Sequence, residues 1–181
     1  SRDGKKETLI TTGNYDIINP VRVDEKGGYY YFTASPTNAT QAYLYRVRLD
    51  GKGQAERLSP EDQKGTHAYD VSPLAKYARH QFSNAQTRPL VEWITLPDHK
   101  SMDPNAGVSK SLANQGAPDT NTEFFKVTTT DGVELDGWMV KPQNFDPTKK
   151  YPIVYFVYGE PASSTITDRF GTGRNRLYVG N

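Results

Sequence analysis

The sequence resembles itself at an interval of 48 residues. Positions of like character recur across that interval at Val23 and Val71, Tyr29 and Tyr77, Ser35 and Ser83, Tyr45 and Trp93, and Asp50 and Asp98. Repeats of roughly 40–50 residues are typical of β-propeller blades, which are small antiparallel sheets stacked around an axis. We predict that residues 1–98 form two blades with Tyr45 and Trp93 at equivalent positions. A single meander with evenly spaced turns is the alternative.

A propeller closes its ring with about four to eight blades, so two blades lead us to expect further sequence upstream. Local patterns support strands within each block. Tyr29–Thr33 follows Gly27-Gly28, and Ala42–Leu49 ends at the turn signal Asp50-Gly51. With 12 Tyr and 7 Phe in 181 residues, the chain favours β-structure. We therefore expect a mostly β fold.

The character of the sequence changes after the second block. Residues 99–122 are rich in Ser, Asn, Gly and Pro with little apolar content, which predicts a linker or a long surface loop. Beyond it, Asp131-Gly132 stands between two β-favouring runs and predicts a hairpin with a two-residue loop. Residues 123–181 therefore form a separate predicted unit.

The run Ile153–Tyr158 is apolar without alternation, which predicts a strand buried on both faces, as in an α/β sheet. The run ends at Tyr158 and breaks at Gly159-Glu160-Pro161. Sheets of this class place ligands at the C-terminal ends of their strands. Tyr158 is accordingly a candidate for a site, and the alternative is a core aromatic whose hydroxyl reaches water.

Several function classes find no support in the composition. The formal charge is +1, the basic residues are scattered and no Cys is present, so neither a nucleic-acid surface nor a thiolate metal site is expected. No metal-ligand spacing or phosphate-binding loop occurs, and we predict no cofactor. The longest apolar run has six residues, far fewer than the ~20 of a membrane helix. No Gly-x-Ser-x-Gly nucleophile motif is present.

The histidines and tryptophans are interpreted as structural. His67, His80 and His99 are spaced too widely for a pair on one helix, and we expect them to be half-exposed residues of strands or turns. Trp93 and Trp138 are expected to be packing residues.

Three segments in order resemble the prolyl oligopeptidase family of serine peptidases, in its dipeptidyl peptidase IV branch. Lys149–Pro161 is similar to the segment that opens the hydrolase sheet of that family as KYP, an apolar strand and VYGGP. Thr128–Pro142 is similar to the family's hairpin with the pattern DG-x-x-L-x-G-W. Residues 42–51 and 65–73 resemble its last propeller blades. The resemblance covers nearly the whole chain.

The resemblance implies a serine peptidase in which a β-propeller guards an α/β-hydrolase domain, and which cleaves short peptides after Pro or Ala. Residues 1–98 would be the last blades, 99–122 the linker and 123–181 the start of the hydrolase domain. Tyr158 would take the place of the tyrosine that stabilises the oxyanion. The Ser, Asp and His of the triad would follow after residue 181. A homodimeric parent and an extracytoplasmic compartment are further expectations from the family.

Two departures from the family pattern stand out. Glu160 replaces the usual Gly and adds a carboxylate near the oxyanion position, while Leu74-Ala75 replaces the usual Asp-Gly of a blade turn. We predict a peptidase fragment that is inactive by itself, since the triad is missing. A non-catalytic β-rich binding module, or an inactive relative of the family, is the alternative.

Overall fold

The structure is a computed structural model that describes residues 4–5, 7–106, 110, 121–142, 144–157, 159 and 165–173. Within these residues the chain forms nine strands, all paired antiparallel in three sheets. In chain order they are β1 (Ile17–Asp24), β2 (Tyr29–Ala34), β3 (Tyr43–Arg48), β4 (Glu56–Arg57), β5 (Thr66–Val71), β6 (Tyr77–Ser83), β7 (Leu90–Thr95), β8 (Thr122–Thr128) and β9 (Glu134–Val140). The predicted mostly β fold is confirmed.

The first two sheets are the two predicted blades. Blade 1 has the strand order β1-β2-β3-β4, and blade 2 has the order β5-β6-β7. Val23 pairs with Tyr30 in blade 1, and their counterparts 48 residues later, Val71 and Ala78, pair in blade 2. The repeat therefore holds for the pairs of the first two strands nearest their turn; beyond Arg22, β1 has register shifts that β5 lacks.

The third strands deviate from the repeat by one residue. Phe32 pairs with Tyr45 in blade 1, whereas His80, the counterpart of Phe32, pairs with Glu92 in blade 2. The innermost pairs enclose residues 35–42 in blade 1 but only residues 83–89 in blade 2, a connection shorter by one residue. A slip of one residue moves a side chain to the opposite face of a strand.

Because of this slip, the predicted equivalence of Tyr45 and Trp93 is wrong. Both lie on third strands, but Tyr45 faces the interior with 7% of its surface exposed, and Trp93 faces outward with 57% exposed. Glu92 occupies the position that corresponds to Tyr45, and Trp93 corresponds to Arg46. Trp93 is thus not the packing residue that the sequence suggested, while Trp138 is half-buried.

The two blades pack face to face. Their shared core is made of apolar side chains from both blades and the connections beside them: Tyr31, Leu44, Leu58, Val71, Ala75, Ala78, Ile94 and Leu96. The main chain also joins the blades, since Ala42 and Thr66 form a parallel bridge. The opposite face of blade 1 buries Phe32 and Tyr45, with Ile10 and Tyr15 packed against it.

The unusual turn between β5 and β6 has a structural explanation. Ala75 adopts a φ of +48°, a left-handed conformation that costs a residue with a Cβ roughly 1–2 kcal/mol. In compensation the Ala75 methyl group is buried in the core between the blades. Leu74-Ala75, in place of the usual Asp-Gly, therefore forms a turn that is strained at Ala75 but gains an apolar contact with the core.

The hairpin predicted at Asp131-Gly132 is present, with a longer loop than predicted. Thr129 N donates to Val133 O at 2.9 Å, and Gly132 N donates to Thr129 O at 3.0 Å. Three residues, 130–132, therefore form the loop, and Gly132 has a φ of +86°. A three-residue hairpin loop requires a left-handed residue at this position, which glycine adopts without strain.

The apolar run Ile153–Val157 is not a strand in the structure, contrary to the sequence-based expectation. Its five side chains are 69–82% exposed. A strand buried on both faces needs neighbouring strands and covering helices, and the described part of the chain places none beside this run. No helix among the described residues is long and apolar enough to cross a membrane.

The domain boundaries stay predictions. Much of the predicted linker, residues 107–109 and 111–120, lies outside the described residues. The hairpin strand β8 begins at Thr122, next to the predicted boundary.

Candidate functional site

The residue predicted to be catalytic, Tyr158, lies outside the described residues, as does Glu160. Their described neighbours, Val157 and Gly159, have no regular secondary structure. The assignment of Tyr158 as the oxyanion donor therefore stays a prediction. Among the described residues, the polar side chains that interact most closely lie in the blades and in the segment that contacts them.

A polar cluster lies between the blades, and the sequence analysis did not anticipate it. His67 and His80 are buried, so the expectation of half-exposed histidines is wrong for both of them. His99, in the turn after β7, is half-buried as expected. Tyr69 and Glu92 complete the cluster, which we call the histidine cluster.

Cross-strand pairing explains how these side chains meet. His67 and Tyr69 are two positions apart on β5 and therefore lie on the same face of the strand. Tyr69 pairs with His80 on β6, and His80 pairs with Glu92 on β7. Directly opposed residues on antiparallel strands bring their side chains into contact. Three strands thus deliver polar groups to one spot on the face of blade 2 that meets blade 1.

The rings of the cluster form a stack. His67 and His80 have ring centroids 5.1 Å apart at an interplanar angle of 11°, and Tyr69 lies over His80 at 4.7 Å and 15°. His99 approaches His80 edge-on at 4.7 Å and 79°. The stack fills the space that purely apolar side chains occupy elsewhere between the blades.

The Tyr69 hydroxyl lies at the centre of the hydrogen bonds. It lies 2.9 Å from Ser59 Oγ, 2.9 Å from His99 Nε2 and 3.3 Å from His67 Nδ1. Ser59 Oγ also accepts a bond of 2.7 Å from Leu44 N in blade 1. The network therefore links the two blades.

Burial and pairing fix the charges at neutral pH. Desolvation lowers the pKa of His67 to about 3 and that of His99 to about 4, so both imidazoles are neutral. The hydrogen bond with His80 lowers the pKa of Glu92 to about 2, so its carboxylate is ionised. Burial raises the pKa of Tyr69, so its phenol keeps its proton.

Hydrogen-bond accounting then assigns the protons. His67 Nε2 must donate to the Gln63 carbonyl oxygen at 2.8 Å, so Nδ1 of the neutral ring is an acceptor. His80 Nε2 lies 2.9 Å from that atom, and His80 Nδ1 lies 3.2 Å from Glu92 Oε1. His80 is therefore the buried hydrogen-bond partner of both His67 and Glu92.

The cluster is suited to holding protons and packing the blades. Among the described residues, no group of three or more His, Asp or Glu side chains is arranged to hold a metal ion.

One signal in the sequence could have revealed the pair of His80 and Glu92. His80 lies between Ala78 and Phe82, and Glu92 between Leu90 and Ile94, each in the middle of an alternating apolar series. A polar residue at such a position is expected to be buried with a partner.

A second feature is the segment 165–173, which crosses one end of both blades. Asp168 lies in this segment, ten positions after Tyr158, and its side chain reaches Gln41 in blade 1 and Ala85 in blade 2. The segment thus brings the region that follows the candidate catalytic tyrosine into contact with the propeller blades.

Comparison with known proteins finds a family whose model matches the blade region. Residues 1–89 match the family described as the dipeptidyl peptidase IV (DPP IV) N-terminal region. The blade region of the chain is therefore similar to the N-terminal region of dipeptidyl peptidase IV proteins. This likeness agrees with the resemblance found in the sequence.

Individual relatives extend the likeness beyond the blades. A probable dipeptidyl-aminopeptidase B of Coccidioides posadasii (strain C735) is 29% identical over 177 residues, which cover 93% of this chain and 18% of the relative. The protein with the same description from Emericella nidulans is 30% identical, with coverages of 93% and 19%. The chain therefore spans about a fifth of the length of these curated relatives.

Solved structures share the fold. Dipeptidyl peptidase 4 of Porphyromonas gingivalis superposes with a TM-score of 0.71 at 24% identity, over 91% of this chain and 23% of that one. A putative dipeptidyl aminopeptidase IV of Bacteroides ovatus gives 0.69 at 22% identity, with the same coverages. These likenesses support the two-blade arrangement.

Proposed function

We propose that this chain is part of a serine-type dipeptidyl peptidase, to which it contributes two propeller blades, a linker and the start of an α/β-hydrolase domain. The observation that carries the proposal is the alignment of 93% of the chain, Tyr158 region included, with proteins described as dipeptidyl-aminopeptidases. The proposed boundaries are residues 1–98, 99–122 and 123–181. The Ser, Asp and His of the triad would come from sequence outside the chain.

In this proposal Tyr158 supplies an oxyanion donor. Attack of the serine hydroxyl on the scissile carbonyl places negative charge on the carbonyl oxygen, and the phenol O–H donates a hydrogen bond to it. A preorganised donor of this kind contributes roughly 3–4 kcal/mol to transition-state stabilisation. The substrate class is short peptides with Pro or Ala before the scissile bond.

The test uses the full-length gene product and chromogenic Gly-Pro and Ala-Pro substrates. Tyr158→Phe should lower kcat by roughly 10²–10³-fold and change KM little, because the donor acts more strongly on the oxyanion than on the ground-state carbonyl. Tyr155→Phe is the matched control, since Tyr155 lies in the same run and is exposed. It should leave both constants unchanged.

Two results would overturn the proposal. A Tyr158→Phe enzyme with kcat within about threefold of wild type would remove the oxyanion role. A full-length protein with no turnover of either substrate would favour a non-catalytic binding module. The 181-residue chain by itself should show no turnover above a buffer blank, because it lacks the nucleophile motif.

A further inference from the structure

The segment 165–173, which we call the strap, joins three parts of the described chain. It contacts the β2–β3 connection of blade 1, the β6–β7 connection of blade 2 and the β8–β9 hairpin. The contacts to the blades converge on Asp168.

Asp168 uses every polar group that it has. Its carboxylate accepts 2.9 Å bonds from Gln41 Nε2 through Oδ2 and from Ala85 N through Oδ1. Its main-chain N donates to Thr40 O at 2.7 Å, and its main-chain O accepts from Thr66 Oγ1 at 2.8 Å. One side chain therefore binds each blade through a separate oxygen, and hydrogen bonds to a carboxylate are stronger than neutral ones.

The rest of the strap is fitted closely to its surroundings. Phe170 N donates to Ser83 Oγ at 3.2 Å, which adds a contact with blade 2. At the other end, a Cβ at Gly173 would lie 2.6 Å from Thr122 Oγ1 and 2.7 Å from Val140 Cγ2, so only glycine permits this approach to the hairpin. The strap is held at the blades by Asp168 and at the hairpin by Gly173.

We propose that Asp168 is a positioning residue that fixes the polypeptide carrying Tyr158 relative to the propeller blades. This inference rests on the proposed role of Tyr158 as oxyanion donor. Tyr158 precedes Asp168 by ten positions, and the hairpin contacted by the strap precedes Tyr158. The Tyr158 segment is therefore bracketed in sequence by the hairpin and by Asp168, whose carboxylate is bound to both blades.

A displaced oxyanion donor loses its effect steeply with distance, and a misplacement of about 1 Å can cost about 10²-fold in rate. In the full-length enzyme, Asp168→Ala should lower kcat by about 10-fold or more and leave KM within about threefold. Asp168→Asn keeps one acceptor oxygen and should recover part of the loss. Arg169→Ala, at the exposed neighbouring position, should match wild type.

A double-mutant cycle separates positioning from mere structural support. If Asp168 acts through the Tyr158 hydroxyl, Asp168→Ala should cost less than about threefold in kcat when Tyr158 is already Phe. Equal losses in both backgrounds would overturn the inference. Gln41→Ala removes one of the two hydrogen bonds to the Asp168 carboxylate, together with the bond that Gln41 Oε1 accepts from the Tyr43 hydroxyl. It should give a smaller loss of kcat than Asp168→Ala, and it keeps the test valid if Asp168→Ala does not fold.

The outcomes distinguish this inference from the proposed function. An active wild type whose Asp168→Ala, Asp168→Asn and Gln41→Ala variants keep full kcat would overturn the positioning role and leave the peptidase proposal standing. An inactive wild type would overturn the peptidase proposal, and the positioning role with it.

Discussion

The two blades share a backbone plan but fill the same positions with different chemistry. On the face of blade 1 that points away from blade 2, Phe32 pairs with Tyr45, and these rings pack 5.9 Å apart. On blade 2 the corresponding pair is His80 and Glu92, whose buried side chains are joined by a 3.2 Å hydrogen bond. Positions that occupy the same place in the paired strands of the two blades are thus both buried, although one pair is apolar and the other is polar.

The difference has an energetic consequence. The aromatic pair of blade 1 loses nothing if the pH changes, because neither ring titrates in the physiological range. The His80–Glu92 pair depends on both members, since a buried charge without a partner is strongly unfavourable. Blade 2 should therefore be the more sensitive of the two to mutation and to acid.

The largest effect should come from breaking the His80–Glu92 pair. His80→Leu leaves the Glu92 carboxylate buried without its partner and should lower the free energy of unfolding by about 3–5 kcal/mol in urea denaturation. The double variant His80→Leu/Glu92→Leu gives blade 2 an apolar pair like that of blade 1, and it should recover at least half of that loss. Arg79→Leu on the exposed side of β6 is the control and should change stability by less than about 0.5 kcal/mol. A double variant as unstable as the single one would show that the unpartnered Glu92 carboxylate is not the cause of the loss.

Acidification should destabilise the chain next most strongly. The folded-state pKa values of His67 and His99, about 3 and about 4, lie below the ordinary value of 6.5. Their contribution to stability is therefore complete above pH 6.5 and is lost as the pH falls towards 4 and 3. Between pH 7.5 and 5 the loss should be roughly 1–2 kcal/mol for each histidine. The lowered pKa of Glu92, about 2, adds a further loss below pH 4.5.

Urea denaturation at pH 7.5, 6 and 5 measures this slope. His99→Asn is the matched control, because His99 has a φ of +51° and Asn tolerates that conformation. This variant should show a shallower dependence on pH. A free energy of unfolding that is flat between pH 7.5 and 5 would show that the histidines are not buried in the neutral form.

Sequence patterns predicted the parts of the fold that depend on local chemistry. The 48-residue interval and the turn signals predicted two blades, and Asp131-Gly132 predicted the hairpin. The one-residue slip of β7 could not be predicted in this way, because the length of the β6–β7 connection decides it. That slip replaced Trp93 by Glu92 on the buried face.

The candidate sites were harder to predict for a related reason. The histidine cluster depends on cross-strand register, so residues 13 and 12 positions apart, His67 with His80 and His80 with Glu92, meet only once the strands are paired. The Ile153–Val157 run is apolar enough for a buried strand, but burial requires neighbours that the described residues do not supply. Local pattern indicates that a segment can be buried, and tertiary contacts decide whether it is.

A moderate effect is expected from removing the central hydroxyl of the histidine cluster. Tyr69→Phe keeps the ring on His80 but leaves Ser59 and His99 without their shared partner. The free energy of unfolding should fall by about 1–2 kcal/mol. Tyr77→Phe on the neighbouring strand, where the ring is exposed, should have no measurable effect. Equal melting temperatures for the two variants would argue against the hydroxyl as a link between the blades.

The smallest effect tests the register slip itself. Trp93→Arg gives blade 2 the residue type that blade 1 carries at the corresponding position, Arg46. Because Trp93 is 57% exposed, the free energy of unfolding should change by no more than about 0.5 kcal/mol. Tyr45→Ala, at a buried position of blade 1, should cost about 3–5 kcal/mol by comparison. If Trp93→Arg destabilised the chain as much as Tyr45→Ala, the two aromatics would occupy equivalent buried positions, and the slip between the second and third strands would be disproved.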